Sequence, residues 1–200
     1  MNRPKYVKVD DKIYNINTDF RVALECNKIA CSDIGDLERA LAIIYKLFGD
    51  DGLNCENKNK LLELGMKYLL LGEEQKSIKT QPREKYELDY NKCEGLIRSS
   101  FKFDYKYDPY ELDYLHYYDF ANDLQNLSTS EFGNCCILNR VASIINTDET
   151  KIKDNKERTK LIEAKKQLIE KFCVVQDKKM SETQRKSARE FFEALGQKGE

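Results

Sequence analysis

Along "KYVKVDDKIYNIN", apolar residues alternate with polar ones: Tyr6, Val7 and Val9 precede the Asp10-Asp11 pair, and Ile13, Tyr14 and Ile16 follow it. A period of two, broken by residues that tolerate tight turns, predicts a small β-hairpin. The period then lengthens. Thr18 or Asp19 can cap a helix through "FRVALECNKIAC", its side-chain oxygen accepting from exposed backbone N–H groups. Beyond a turn opened by Asp33, Leu37, Leu41, Ile44, Tyr45 and Phe48 recur at three- and four-residue spacing. They predict the inner side of a second helix, ended by "GDDG". A third helix runs through "KNKLLELGMKYLLLG".

Residues 72–87 are polar and contain Pro82, which predicts a mobile connector. Helical patterning resumes in "LDYNKCEGLIRSSFKFDYKY" and stops before Pro109, because the residue before a proline disfavours helix. The next helix is expected from about Leu112 to Asn126. On it His116, Phe120, Leu124 and Leu127 share one face, Tyr117 and Ala121 widen that face on one side, and Tyr114 and Tyr118 lie on the other. Half the circumference is then aromatic or aliphatic, more than one packing contact needs. Ser128 and Glu131 have capping-box spacing ahead of a helix from Glu131 to about Asn146 that carries Ile137, Val141, Ile144 and Ile145.

The long lysine-rich stretch "DETKIKDNKERTKLIEAKKQLIEKF" gathers its apolar residues only toward its end, so its first turns are expected to face solvent. Last comes "SETQRKSAREFFEALGQKG", where Ser181 and Gln184 can form a capping box and Ala188, Phe191, Phe192 and Leu195 make a narrow apolar stripe ended by Gly196. The pattern as a whole predicts a mainly α protein, a bundle of about six to eight helices with a small N-terminal β-hairpin. One domain is expected over 1–175, with the connector near 72–87, followed by a linker and a detachable amphipathic helix over 176–200.

Charge sharpens this picture. The net charge is −1, yet residues 73–150 carry nine basic and fifteen acidic side chains, and residues 151–200 carry fourteen and nine. The seven cysteines form no CxxC pair and there is a single histidine, so no zinc-binding pattern exists. They read as reduced thiols packed like small hydrophobes in a reducing cytoplasm. No run of apolar residues is long enough for a membrane span, and the N-terminus lacks the apolar core of a signal peptide.

No chemistry announces itself. Phosphate-cradling glycine motifs and calcium-loop spacing are missing, and a nucleophile–base pair would have to be built around His116 alone. Asp104 and Asp108 have helical i,i+4 spacing but read as solvated charge beside Lys102 and Lys106. Eight of the twelve tyrosines fall between Tyr86 and Tyr118, but that region is acidic, and nucleic-acid binding draws its affinity from positive charge beside the rings. The expectation is therefore a non-enzymatic protein without metal or cofactor, whose apolar helix faces are either core or contact surface for another protein.

The segment "LHYYDFANDLQNL" resembles the signature of the bacteriophage gene-product-fifteen family of phages of Gram-positive bacteria. Leu115, His116, Tyr117, Tyr118, Phe120, Leu124 and Leu127 stand at the matching places, although the family usually has tryptophans where Tyr117 and Tyr118 stand. "YNINTDFRVALE", "LIRSSFKFDYKYD", Arg140 in "LNRVASI" and the lysine-rich helix fit the same pattern. The resemblance implies a tail assembly chaperone that binds the tape-measure protein and keeps it soluble until the tail tube polymerises. It further implies contact with tail-tube subunits and a longer frameshifted form of the chain, with homo-oligomers left open. The protein would act in the host cytoplasm and be absent from the mature virion. The residues expected to bind the partner are Tyr114, His116, Tyr117, Tyr118, Phe120, Leu124, Leu127, Phe191, Phe192 and Leu195. The alternatives are a small nucleic-acid-binding regulator using the basic tail, or a structural protein retained in the tail.

Overall fold

The computed structural model describes residues 3–72, 88–128 and 136–173. Among these the fold is mainly α, with seven α-helices and one two-stranded antiparallel hairpin. The described residues fall into two compact units, one of 3–72 with 116–118, the other of 88–115 with 119–128 and 136–173. The C-terminal segment 176–200 and all but the first residue of the connector near 72–87 lie outside the described residues.

The first unit opens with β1 (Tyr6–Val9) and β2 (Lys12–Asn15), paired so that Val9 faces Lys12 and Tyr6 faces Asn15. Asp10 takes a left-handed φ of 52°, which a two-residue hairpin turn requires and a short polar side chain tolerates. Asp19 caps α1 (Phe20–Ala30) by accepting the N–H of Arg21 at 2.9 Å. The second helix, α2 (Asp36–Leu53), differs from expectation in two ways. "GDDG" kinks it instead of ending it: Gly49 adopts φ 64° and the helix resumes through 50–53. Its buried face is Ile43, Ile44, Leu47 and Phe48, while Leu37 and Tyr45 are 55% and 50% exposed. Leu37, Leu41 and Tyr45 do share a helical stripe, but the helix is rotated so that its neighbouring stripe meets α1 and α3 (Lys58–Leu69). At the α2–α3 crossing a Cβ on Gly65 would lie 3.0 Å from Leu47 Cδ1 and 3.2 Å from the Phe48 ring, so a larger residue there would have to push these side chains aside.

In the second unit, α4 (Glu94–Asp104), α6 (Ile137–Asn146) and α7 (Asn155–Phe172) surround a core of Cys93, Ile97, Phe101, Phe120, Leu127, Leu138, Val141, Ile145 and Phe172. A lone antiparallel bridge joins Leu88 to Cys173, and the N–H of Asp89 donates to the carbonyl of Phe172 at 2.8 Å. These contacts tie the start of this unit to its end. A 3-10 turn (Glu149–Lys151) precedes α7, whose N-cap Asp154 accepts from the N–H of Glu157. The first turns of α7 are exposed.

Two expected boundaries move. The helix predicted from about Leu112 begins only at Tyr117, as α5 (Tyr117–Gln125), because Pro109 and the Asp108 turn hold the preceding chain in a loop. The described part of the helix predicted from Glu131 begins at Ile137, and 131–135 lie outside the described residues.

Candidate functional site

The segment expected to carry the function, 114–127, is built around the start of α5. His116 precedes its first residue, and Nδ1 accepts the backbone N–H of Tyr118 at 3.1 Å. The histidine is thus an N-cap, taking the role usually held by Ser, Thr, Asp or Asn. An accepting Nδ1 leaves the proton of the neutral ring on Nε2. The His116 backbone pairs with Asp19, and the N–H of Tyr117 donates to the carbonyl of Thr18 at 2.8 Å. The ring is buried, and its Nδ1 is engaged at the start of the helix.

Tyr117 and Tyr118 belong to the first unit. Tyr117 donates its hydroxyl to the carbonyl of Leu69 at 2.8 Å, satisfying a group left over at the end of α3. The Tyr68 ring lies stacked against Tyr118 at 5.3 Å and tilted against Tyr117 at 5.8 Å. Burial holds the Tyr118 phenol above its usual range.

From Asp119 onward α5 belongs to the second unit. Phe120 stacks on Phe101 with ring centres 5.6 Å apart, and the edges of Tyr105 and Tyr107 close around Phe101. The hydroxyls of these two tyrosines both reach Asp123, Tyr105 donating to its carbonyl at 2.8 Å and Tyr107 to its carboxylate at 2.7 Å. Burial first, and the Asp123 carboxylate second, hold the Tyr107 phenol far above its usual range. Leu127 is buried and Leu124 half-buried. Among the expected partner-binding residues of 114–127, the structure thus leaves Tyr114 as the one clearly exposed side chain, at 54%. Phe191, Phe192 and Leu195 lie outside the described residues.

The acidic pair is not solvated charge. Asp104, half-buried, accepts both the N–H and the hydroxyl of Ser128, at 2.7 and 2.8 Å. Asp108 is buried and fixes the loop before Tyr114: it accepts the N–H of Tyr110 at 3.0 Å and pairs with Arg98 at 3.2 Å and Lys102 at 3.1 Å. Burial alone would raise its pKa, but the Tyr110 N–H and the two cations outweigh it and hold the carboxyl below its ordinary value. The i,i+4 count misled because α4 stops at Asp104.

Cys26, Cys55, Cys93, Cys136 and Cys173 are buried free thiols, as read from the sequence, whereas Cys31 is exposed. Burial pushes Cys26 and Cys93 up to about 12, which removes the reactive thiolate. Among the described residues no helix is long and apolar enough to cross a membrane.

Exposed apolar side chains also occur where the sequence reading placed no site. Tyr6 and Ile13 lie on the outer side of the hairpin, Phe103 on α4, Ile137 and Ile144 on α6, and Ile162 on α7.

A family model described as "Bacteriophage Gp15 protein" matches residues 2–169, more than four-fifths of the chain. No curated protein and no solved structure matches it.

Proposed function

The chain belongs to the Bacteriophage Gp15 protein family, and from that premise we propose that it is a tail assembly chaperone. In this reading it binds the tape-measure protein in the host cytoplasm and covers that protein's apolar helical faces. Tail-tube subunits then displace it, and it does not remain in the finished particle. The family match over most of the chain is the observation that carries the reading. The apolar side chains left at the surface, Tyr114 and Ile162 among them, support it, since reversible capture of apolar helices needs such a surface.

The test is co-expression with the long helical protein encoded downstream, followed by solubility measurement and size exclusion with light scattering. Rescue of that partner and co-elution with it are expected. Phe191→Ser with Phe192→Ser is expected to weaken capture by more than about tenfold while leaving the main thermal transition in place. A well-folded chain that neither rescues nor co-elutes overturns the reading. Recovery of the chain in purified particles would instead make it a structural tail protein, and steeply salt-dependent binding to DNA would make it a regulator.

A further inference from the structure

Two surfaces of the second unit are opposite in charge and alike in apolar character. The first is the loop Glu111–Tyr114. Its four side chains are exposed and alternate acid with apolar: Glu111, Leu112 (38% exposed), Asp113 and Tyr114; Glu111 also meets Lys102 at 3.2 Å in a surface pair, which a partner's cation can exchange at little cost. The loop is anchored from below. Pro109 is fully buried, Asp108 is clamped by Arg98 and Lys102, and the N–H of Glu111 donates to the Asp108 carbonyl at 3.2 Å. An apolar pair presented on an anchored loop loses little conformational entropy when it docks.

The second surface is a row on α7. Ile162 is 46% exposed and has Arg158 one turn before it and Lys166 one turn after, both exposed, so the three line one side of the helix. Among the described residues no ion pair engages Arg158 or Lys166. The adjacent Lys165 is different: it donates to the Thr147 carbonyl at 2.7 Å and pairs with Glu149, so it is committed to the fold.

We propose that the chain self-associates head to tail, the Glu111–Tyr114 loop of one copy seating on the Arg158–Ile162–Lys166 row of the next. Leu112 and Tyr114 cover Ile162, and Glu111 and Asp113 face Arg158 and Lys166. Charge complementarity selects this occupant: the loop is acidic and apolar, the row basic and apolar, and one chain carries both. Such a contact is heterologous: a joined pair keeps an unused row on one copy and an unused loop on the other, so assembly continues into a ring or an open filament. It proceeds independently of the tail-assembly reading, because it uses only surfaces of this chain.

Sedimentation velocity on the full chain tests the proposal over concentrations from about 1 µM to about 1 mM. The average mass is expected to rise above the 23.4 kDa of one chain, and to rise less at ~0.5 M than at ~0.05 M salt. Glu111→Lys with Asp113→Lys should weaken association by more than about tenfold, and so should Arg158→Glu with Lys166→Glu. Mixing these two double variants should restore it, since each then offers the other a complementary loop and row. Unchanged circular dichroism of both variants confirms that they fold. A wild-type chain that stays at one copy throughout, association that neither double variant weakens, or a mixture that fails to reassemble overturns the proposal.

Discussion

The hydroxyl of Ser100, on α4 and fully buried, accepts the N–H of Leu138 at the start of α6, 3.1 Å away. The N-cap residue of α6 is Cys136, whose side chain makes no capping bond. The orphan N–H groups there are satisfied instead by hydroxyls distant in sequence, Ser100 for Leu138 and Ser128 for Cys136. Ser100→Ala leaves a buried N–H without an acceptor and is expected to destabilise the fold by about 1–3 kcal/mol. Ser99→Ala, on the exposed side of the same helix, should stay within about 0.5 kcal/mol of wild type. Urea unfolding of the two variants decides; equal midpoints would mean that the buried cap contributes nothing.

The stretch 114–127 divides into core and surface, and stability measurements can draw the line. Phe120→Ala empties the stack on Phe101 and should cost about 3–5 kcal/mol. Tyr117→Phe removes only the hydroxyl that meets the Leu69 carbonyl and should cost about 1 kcal/mol. Tyr114→Ala should change stability by about 0.5 kcal/mol or less. If Tyr114→Ala proved as damaging as Phe120→Ala, the loop would be core and could not serve as a docking surface.

Asp108 gives the acid limb a definite sign. Its carboxyl is held below its ordinary value in the folded state, so its contribution is fully present above the unfolded value of about 3.9. That contribution disappears as pH falls through the lower folded value. Arg98 and Lys102 stay charged throughout, so the carboxyl is the member of this cluster that titrates. Asp108→Asn should lower stability at neutral pH and flatten its decline below about pH 4. Denaturant midpoints measured against pH for both proteins provide the check; parallel curves would rule the clamp out.

Thiol chemistry separates the cysteines by burial. A maleimide reagent under native conditions should modify Cys31 quickly. It should reach Cys26 and Cys93 only after unfolding, because burial excludes the reagent and holds both thiols protonated up to about 12. Peptide mapping after timed quenching reads the order directly. Early labelling of Cys93 would show that the bridge between Leu88 and Cys173 opens readily.

Periodicity and turn chemistry, both local, determined the hairpin, the helical class and a cap at Thr18 or Asp19, and the cysteine spacing pointed to packed thiols. The family rested on something else, the resemblance of the Leu115–Leu127 segment and its flanks to a known signature, which holds whether those residues are core or surface. Rotation of a helix about its axis is not local. Ile44 and Phe48 face inward as expected, but Leu37, Leu41 and Tyr45 make as good a stripe as Ile43 and Leu47, and only the packing of α1 and α3 chose between them. The same limit explains the site. His116 reads as a face residue in a helix begun at Leu112 and becomes a cap once the loop after Asp108 delays that helix to Tyr117. The delay rests on a carboxylate gathering Arg98, Lys102 and a backbone N–H from outside its own turn. Whether a tyrosine is buried or left for a partner was likewise decided by residues far along the chain, because burial belongs to a neighbourhood and a sequence lists only neighbours in order.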